Sequence, residues 1–239
     1  MVEVENLSVR YRGRYALEAI SFKLEPSQIV GIIGPNGAGK STMVKAMLGL
    51  IPIASGTVKF CDKPLRLNLS KVAYVPQRAN IDWDYPTTVW NVVMMARTVK
   101  TGLFRKPSRM SEELAKAALE RVGILDLRDR QIGELSGGQQ QRVFLARSLA
   151  KQADLFIFDE PFTGIDRRTE DIIFEVFEEL KVQGKTLLVI NHDLGETLNY
   201  YDQLLLLNKQ LIAFGCRQEV LTATNIQQTY GISLRLVVA

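Results

Sequence analysis

The stretch Ile29-Val30-Gly31-Ile32-Ile33-Gly34-Pro35-Asn36-Gly37-Ala38-Gly39-Lys40-Ser41-Thr42 decides the fold. Its first five residues are an uninterrupted apolar run, the pattern of a strand buried on both faces. From Gly34 the chain fits G-x-x-x-x-G-K-[ST], and the residues beyond Lys40 read as a helix. Strand, glycine-rich turn and helix in that order make a phosphate-binding loop. Glycines leave the backbone bare, so the N–H groups of Gly34, Pro35-Asn36, Gly37, Ala38, Gly39 and onward to Thr42 can wrap phosphate oxygens, proline contributing shape rather than a donor. Lys40 is placed to reach the β and γ phosphates, and the Ser41 hydroxyl can hold Mg²⁺.

Working outward, the 239 residues suffice for a single α/β domain with a core of its own and room for an inserted subdomain. Apolar residues make up 46% and charged residues 23%, ordinary globular usage that argues against disorder. A net charge of +4 is too mild to argue for nucleic acid. The cations are dispersed except around Lys100, Arg105, Lys106 and Arg109, which read as a solvated loop or as a contact with anionic lipid headgroups. The longest purely aliphatic run, Leu204-Leu205-Leu206-Leu207, is far short of the roughly 18 to 20 residues that cross a bilayer. The start, Met1-Val2-Glu3-Val4-Glu5-Asn6-Leu7, alternates like an edge strand rather than a leader, so the expected location is cytoplasmic. Cys61 and Cys216 lack metal-ligand spacing and are expected to be free, buried thiols.

Short apolar runs alternate with helical patterns, which predicts α/β with a largely parallel sheet. Strands are expected at 29–33, 72–75, 155–158 and 187–190, with antiparallel strands at 2–9 and 57–60 making the sheet mixed. Between Gln77 and Ser136 the pattern turns helical. Thr87 or Thr88 can cap a helix through Val89, Val92, Val93 and Ala96, and Ser111 can cap one over 112–122 that stops at Gly123. The organisation expected is one domain: a nucleotide-binding core of residues 1–81 and 149–215, an inserted helical subdomain of 82–148, and a tail of 216–239.

Leu155-Phe156-Ile157-Phe158-Asp159-Glu160 is a strand that ends in two carboxylates, placed in the crevice where phosphates bind. Asp159 can complete a Mg²⁺ shell with Ser41, and Glu160 can orient or deprotonate an attacking water. His192, the one histidine, ends the strand at 187–190, 32 residues beyond Glu160. That spacing fits one crossover helix and the next strand, and favours a γ-phosphate contact over a packed histidine. Gln77 follows the strand at 72–75 and reads either as a turn residue or as an amide holding Mg²⁺ and a water. Ser136-Gly137-Gly138-Gln139 opens a helical pattern through Val143, Leu145, Ala146, Leu149 and Ala150, which makes a second anion site at a helix N-terminus. Trp83 and Tyr85, alternating with Asp82 and Asp84, either pack the base of the helical subdomain or line a cleft for a partner helix.

In this order the phosphate loop, Gln77, Leu135-Ser136-Gly137-Gly138-Gln139, the strand ending Asp159-Glu160, Gly164-Ile165-Asp166 and His192 resemble the ATP-binding subunit of ABC transporters over about residues 1–215. The resemblance implies a P-loop NTPase (RecA-like) core, with ATP and Mg²⁺ as cofactors. It implies that Tyr11 stacks on adenine, and that two copies sandwich ATP between the phosphate loop of one and Ser136-Gly137-Gly138 of the other. It implies an integral membrane permease as partner, and hence a peripheral place on the cytoplasmic face of the bacterial plasma membrane. The sequences Phe162-Thr163-Gly164-Ile165-Asp166 and Gln77 to Val89 are similar to the branch serving manganese, zinc and iron uptake, manganese first. An extracytoplasmic metal-binding protein would then be an indirect partner. Asn191 stands where many relatives have threonine, a change expected to be tolerated. The alternatives are an importer ATPase for another substrate and a soluble ABC ATPase of iron–sulfur cluster assembly.

Overall fold

The computed structural model describes residues 1–102, 106–192 and 194–231. In chain order the strands are β1 (Val2–Tyr11), β2 (Arg14–Leu24), β3 (Ile29–Ile33), β4 (Ser55–Phe60), β5 (Lys63–Pro64), β6 (Val72–Val75), β7 (Leu155–Asp159), β8 (Thr186–Asn191), β9 (Gln203–Asn208) and β10 (Gln210–Gly215). The helices are α1 (Lys40–Met47), α2 (Val89–Met94), α3 (Thr98–Thr101), α4 (Arg109–Arg121), α5 (Gly137–Lys151), α6 (Arg167–Val182), α7 (Arg217–Val220) and α8 (Ala223–Tyr230). Packing divides the chain into two units, residues 1–69 with 180–239, and residues 70–179.

The first unit holds an antiparallel sheet in the order β2-β1-β4-β5. Here β1 is interior, not the edge strand its sequence suggests, because Val2 pairs with Leu24 on one side and Phe60 on the other. Alternation records one buried face and is silent on how many neighbours a strand has. A bulge at Asn6, at φ 49°, resets that alternation so that Val2, Val4, Leu7 and Val9 all reach the core. In the same unit β3 is hydrogen-bonded in parallel to β8 and to β9, and β10 folds back antiparallel on β9. Every residue of β3 and of β8 is buried. The run Leu204 to Leu207 is part of β9, a core strand. Among the described residues no helix is long and apolar enough to cross a membrane.

The second unit pairs β6 in parallel with β7 and carries α2 to α5. Helix α5 buries Val143, Phe144, Leu145, Ala146 and Ala150 and packs on α2 and α4. Thr88 caps α2 by accepting from Asn91 N–H. Ser108, and not Ser111, caps α4, with its hydroxyl accepting from Ser111 N–H at 3.3 Å. Starting one turn earlier buries Ser111, whose hydroxyl accepts from the buried guanidinium of Arg97. Gly123, at φ 67°, lies just beyond that helix, as expected.

Both cysteines are free but exposed. Cys61 sits with Asp62 at positive φ in the two-residue turn between β4 and β5, and Cys216 is the residue before α7. The hairpin turn holds Cys61 on the surface and the N-cap position leaves Cys216 exposed, against the expectation of buried thiols. Of the basic cluster, Arg105 lies outside the described residues, and Lys100, Lys106 and Arg109 are exposed.

Candidate functional site

In the first unit the phosphate loop leaves the end of β3 at Gly34. A Cβ on Gly34 would fall 2.1 Å from the carbonyl oxygen of Leu207, so two backbones meet there without room for a side chain. The loop is tied to its surroundings by Ala38 N–H to Pro35 O at 3.1 Å and by Lys209 N–H to Ala38 O at 2.8 Å. Asn36 and Gly37 are exposed, Ala38 is buried, and Pro35, Gly39, Ser41 and Thr42 are half-buried. The buried Lys40 donates its ammonium to Gly34 O at 2.7 Å and Pro35 O at 3.0 Å, both carbonyls of the loop itself. Gly39 is the N-cap of α1 and offers no side chain to the first-turn amides, which suits them to a phosphate.

Tyr11 ends β1, opposite Arg14 across a tight turn, with half its surface exposed. A flat aromatic face is thus available for stacking. His192 follows β8 and is exposed. Before it, the buried Asn191 donates its amide to Thr197 Oγ1 at 2.9 Å and Tyr201 Oη at 3.4 Å. No local pattern announces this role of Asn191, because the two hydroxyls that it meets lie six and ten residues further along the chain.

In the second unit the strand register explains the pairing of Gln77 with Glu160. Val75 pairs with Phe158 in the parallel β6–β7 ladder, so the residues two places beyond each arrive level. Gln77 Nε2 donates to Glu160 Oε2 at 2.8 Å. Glu160 holds φ 52°, a left-handed backbone that is uncommon for a residue with a side chain. Asp159 is buried, and its Oδ2 accepts from the Tyr74 hydroxyl at 3.4 Å. Burial first, then the charge of Asp159, holds the Tyr74 phenol well above its usual range, which keeps it a proton donor. Tyr74 was missed in the sequence, although it lies three residues before Gln77 on the strand that reaches the same carboxylates.

Ser136 is the N-cap of α5 in a reciprocal capping box. Its hydroxyl accepts from Gln139 N–H at 3.4 Å, and its own N–H donates to Gln139 Oε1 at 2.9 Å. Gln139 is therefore committed to holding the turn. The glycines beside it are crowded: a Cβ on Gly138 would lie 2.8 Å from Asp166 Oδ2, and one on Gly137 would lie 2.7 Å from Arg78 Nη1. Trp83 is half-buried, donates Nε1–H to Arg78 O at 3.0 Å and meets Phe144 edge-on at 5.4 Å. Of the two readings open in the sequence, packing is the one it satisfies. Tyr85, by contrast, is exposed, and with Pro86, Met94, Met95 and Thr98 lines a cleft of about 460 Å³.

In the first unit Ser41 offers a hydroxyl, and in the second Gln77 and Asp159 offer an amide and a carboxylate; each is a hard oxygen donor, of the kind that suits Mg²⁺ and not a soft transition metal. Among the described residues no group of three or more His, Cys, Asp or Glu could hold a metal ion.

Residues 17–163 match the family described as ABC transporter. The chain belongs to that family. Over 96% of its length this ABC protein is 48% identical to the manganese transport system ATP-binding protein MntB of Bacillus subtilis, covering 92% of that protein. It is 46% identical to the zinc transport system ATP-binding protein TroB of Treponema pallidum, over 96% of this chain and 86% of that one. Among solved structures it resembles the ADP conformation of an ATP-binding cassette of an ABC transporter, with a TM-score of 0.80 and 26% identity over 97% of both chains. The ABC protein has the P-loop NTPase fold with a mixed sheet, N-terminal antiparallel strands and helices.

Proposed function

We propose that this chain is the ATP-hydrolysing subunit of a bacterial ABC importer of divalent metal ions, manganese in the first place. The observation that carries the proposal is its 48% identity to MntB across 96% of the chain. As an ABC protein it binds and hydrolyses ATP. Lys40 and the amides of residues 34–42 take the phosphates, and Tyr11 takes the adenine face. Ser41, Gln77 and Asp159 are the residues that would hold Mg²⁺, which when bound neutralises charge on the phosphates. Glu160, held by Gln77, orients and deprotonates the attacking water, and His192 contacts the γ-phosphate. The Ser136, Gly137, Gly138 and Gln139 turn of a second copy completes the ATP site, so ATP favours a closed pair and hydrolysis releases it.

Within this reading residues 82–148 act as the helical subdomain on a core of 1–81 and 149–215, with 216–239 as a tail. The cleft at Tyr85 receives a cytoplasmic helix of the permease, whose methionine lining adapts to an apolar anchor. The metal crosses through the permease, delivered by an extracytoplasmic binding protein, and the present chain works peripherally from the cytoplasmic face. Cells lacking the chain test this. Radiolabelled manganese uptake should return with the parent sequence and not with Glu160→Gln, and the parent should copurify with an integral membrane subunit. Copurification with soluble partners alone, without restored uptake, would refute the proposal.

A further inference from the structure

We propose that Arg78 sets the charge at the Ser136 turn and so governs how strongly ATP draws two copies of the chain together, a reading that rests on the two-copy ATP site described above. Gln77 and Arg78 are consecutive, yet they serve different motifs. Gln77 turns to Glu160, while Arg78 donates Nε–H to Gln140 Oε1 at 3.0 Å and lies with its guanidinium carbon 5.7 Å from the centre of the Trp83 ring. Its Nη1 and Nη2 flank Gly137, 2.7 and 3.3 Å from where a Cβ would stand. Any side chain at 137 would drive the guanidinium away.

Arg78 is half-buried and forms no ion pair with a carboxylate among the described residues. It is also pressed against the first turn of α5, the end of a helix that already carries positive partial charge. Like charges converge there. Asp166, on the side of Gly138, does not offset them by pairing with Arg78: its two oxygens accept from the N–H and the hydroxyl of Thr169, at 2.9 and 3.1 Å. A cation held this way is poorly compensated within one chain and well placed to favour a polyphosphate presented by another. Arg78 thus acts by its charge, held beside the turn by Gln140 and by the space that Gly137 leaves. Because its neighbour Gln77 holds Glu160, one short segment links the hydrolytic carboxylate to the turn that meets the partner's ATP.

The test uses the full chain carrying Glu160→Gln, which binds ATP without turning it over, and follows ATP-driven dimerisation by light scattering. Arg78→Met keeps the aliphatic stem and removes the charge; Arg78→Lys keeps the charge and removes the planar fork. Arg78→Met should need at least about tenfold more ATP for half-dimerisation and Arg78→Lys no more than about threefold, the scale of one charge-assisted contact. Binding of a fluorescent ATP analogue to the dilute monomer should match the parent in both; the melting temperature should match it in Arg78→Lys and fall by no more than about 4 °C in Arg78→Met, the scale of the one hydrogen bond to Gln140. The proposal is overturned if Arg78→Met dimerises at the parent's ATP concentration. It is equally overturned if both variants lose dimerisation together with a parallel fall in melting temperature, which would make Arg78 a brace for Trp83 and α5. Failure of the Glu160→Gln parent to dimerise would instead remove the two-copy site, and this inference with it.

Discussion

Replacing Trp83 by alanine separates packing from coupling in the segment before α2. Truncating a fully buried tryptophan costs about 3 to 5 kcal/mol. Trp83 is half-buried, so its ring contributes about 2 kcal/mol, including the edge-on contact with Phe144 at 5.4 Å. Its Nε1–H bond to Arg78 O, at 3.0 Å, adds about 1 kcal/mol. A loss of about 3 kcal/mol in a chain of this size lowers the melting temperature by roughly 6 to 12 °C. Circular dichroism on the isolated chain, with ATP absent, measures it directly. Tyr85→Ala is the counterpart: an exposed residue, it should leave the melting temperature within about 2 °C, since surface changes are worth about 0.5 kcal/mol or less. The same variant should weaken copurification with the permease. If Trp83→Ala melts with the parent, the contacts to Phe144 and Arg78 do not stabilise the second unit, and the reasoning from packing is wrong.

Glu160→Gln keeps an amide carbonyl for Gln77 and removes the base, so phosphate release should fall by about 10² or more while ATP still binds; turnover at the parental rate would assign the water to another group. Lys40→Ala should weaken ATP binding to the monomer, and Ser136→Ala should leave it intact while abolishing ATP-driven dimerisation, as read by nucleotide titration beside light scattering. Equal losses of monomer affinity would mean that both motifs serve one nucleotide within one chain. Gly34→Ala should cost binding and stability together, because its Cβ would sit 2.1 Å from a backbone oxygen that no rotamer can move; a soluble variant with parental melting and ATP affinity would count against the close approach.

The parts of the site that could be read from the sequence are those placed by strand ends. The phosphate loop after β3, Gln77 after β6, Asp159-Glu160 at the end of β7 and His192 after β8 each follow an apolar run whose direction and end are written in neighbouring residues. What escaped depends on separation along the chain. Arg78 meets Gln140 across 62 positions, and Tyr74 meets Asp159 across 85, and neither pair has a local pattern to announce it. The interior place of β1 escaped for the same reason, since its second partner, β4, arrives some fifty residues later. The cap of α4 failed differently. Ser108 and Ser111 are both competent caps, and the choice fell to Ser108 in a fold where Ser111 is engaged by Arg97. Trp83 is ambiguous because a tryptophan beside acids looks the same whether its ring is covered or not, and the covering residue, Phe144, lies 61 positions on.

The backbone at Glu160 has a bearing on how this chain can change. A left-handed φ of 52° disfavours any side chain there by about 1 kcal/mol or more, and glycine alone escapes that disfavour. Relief of that conformation by glycine at position 160 is offset by loss of the Gln77 hydrogen bond, about 1 kcal/mol, so melting temperature alone hardly registers removal of the carboxylate. A screen that scores only melting temperature should therefore let Glu160→Gly through as nearly neutral, so any effort to harden this protein has to be scored on ATP turnover as well.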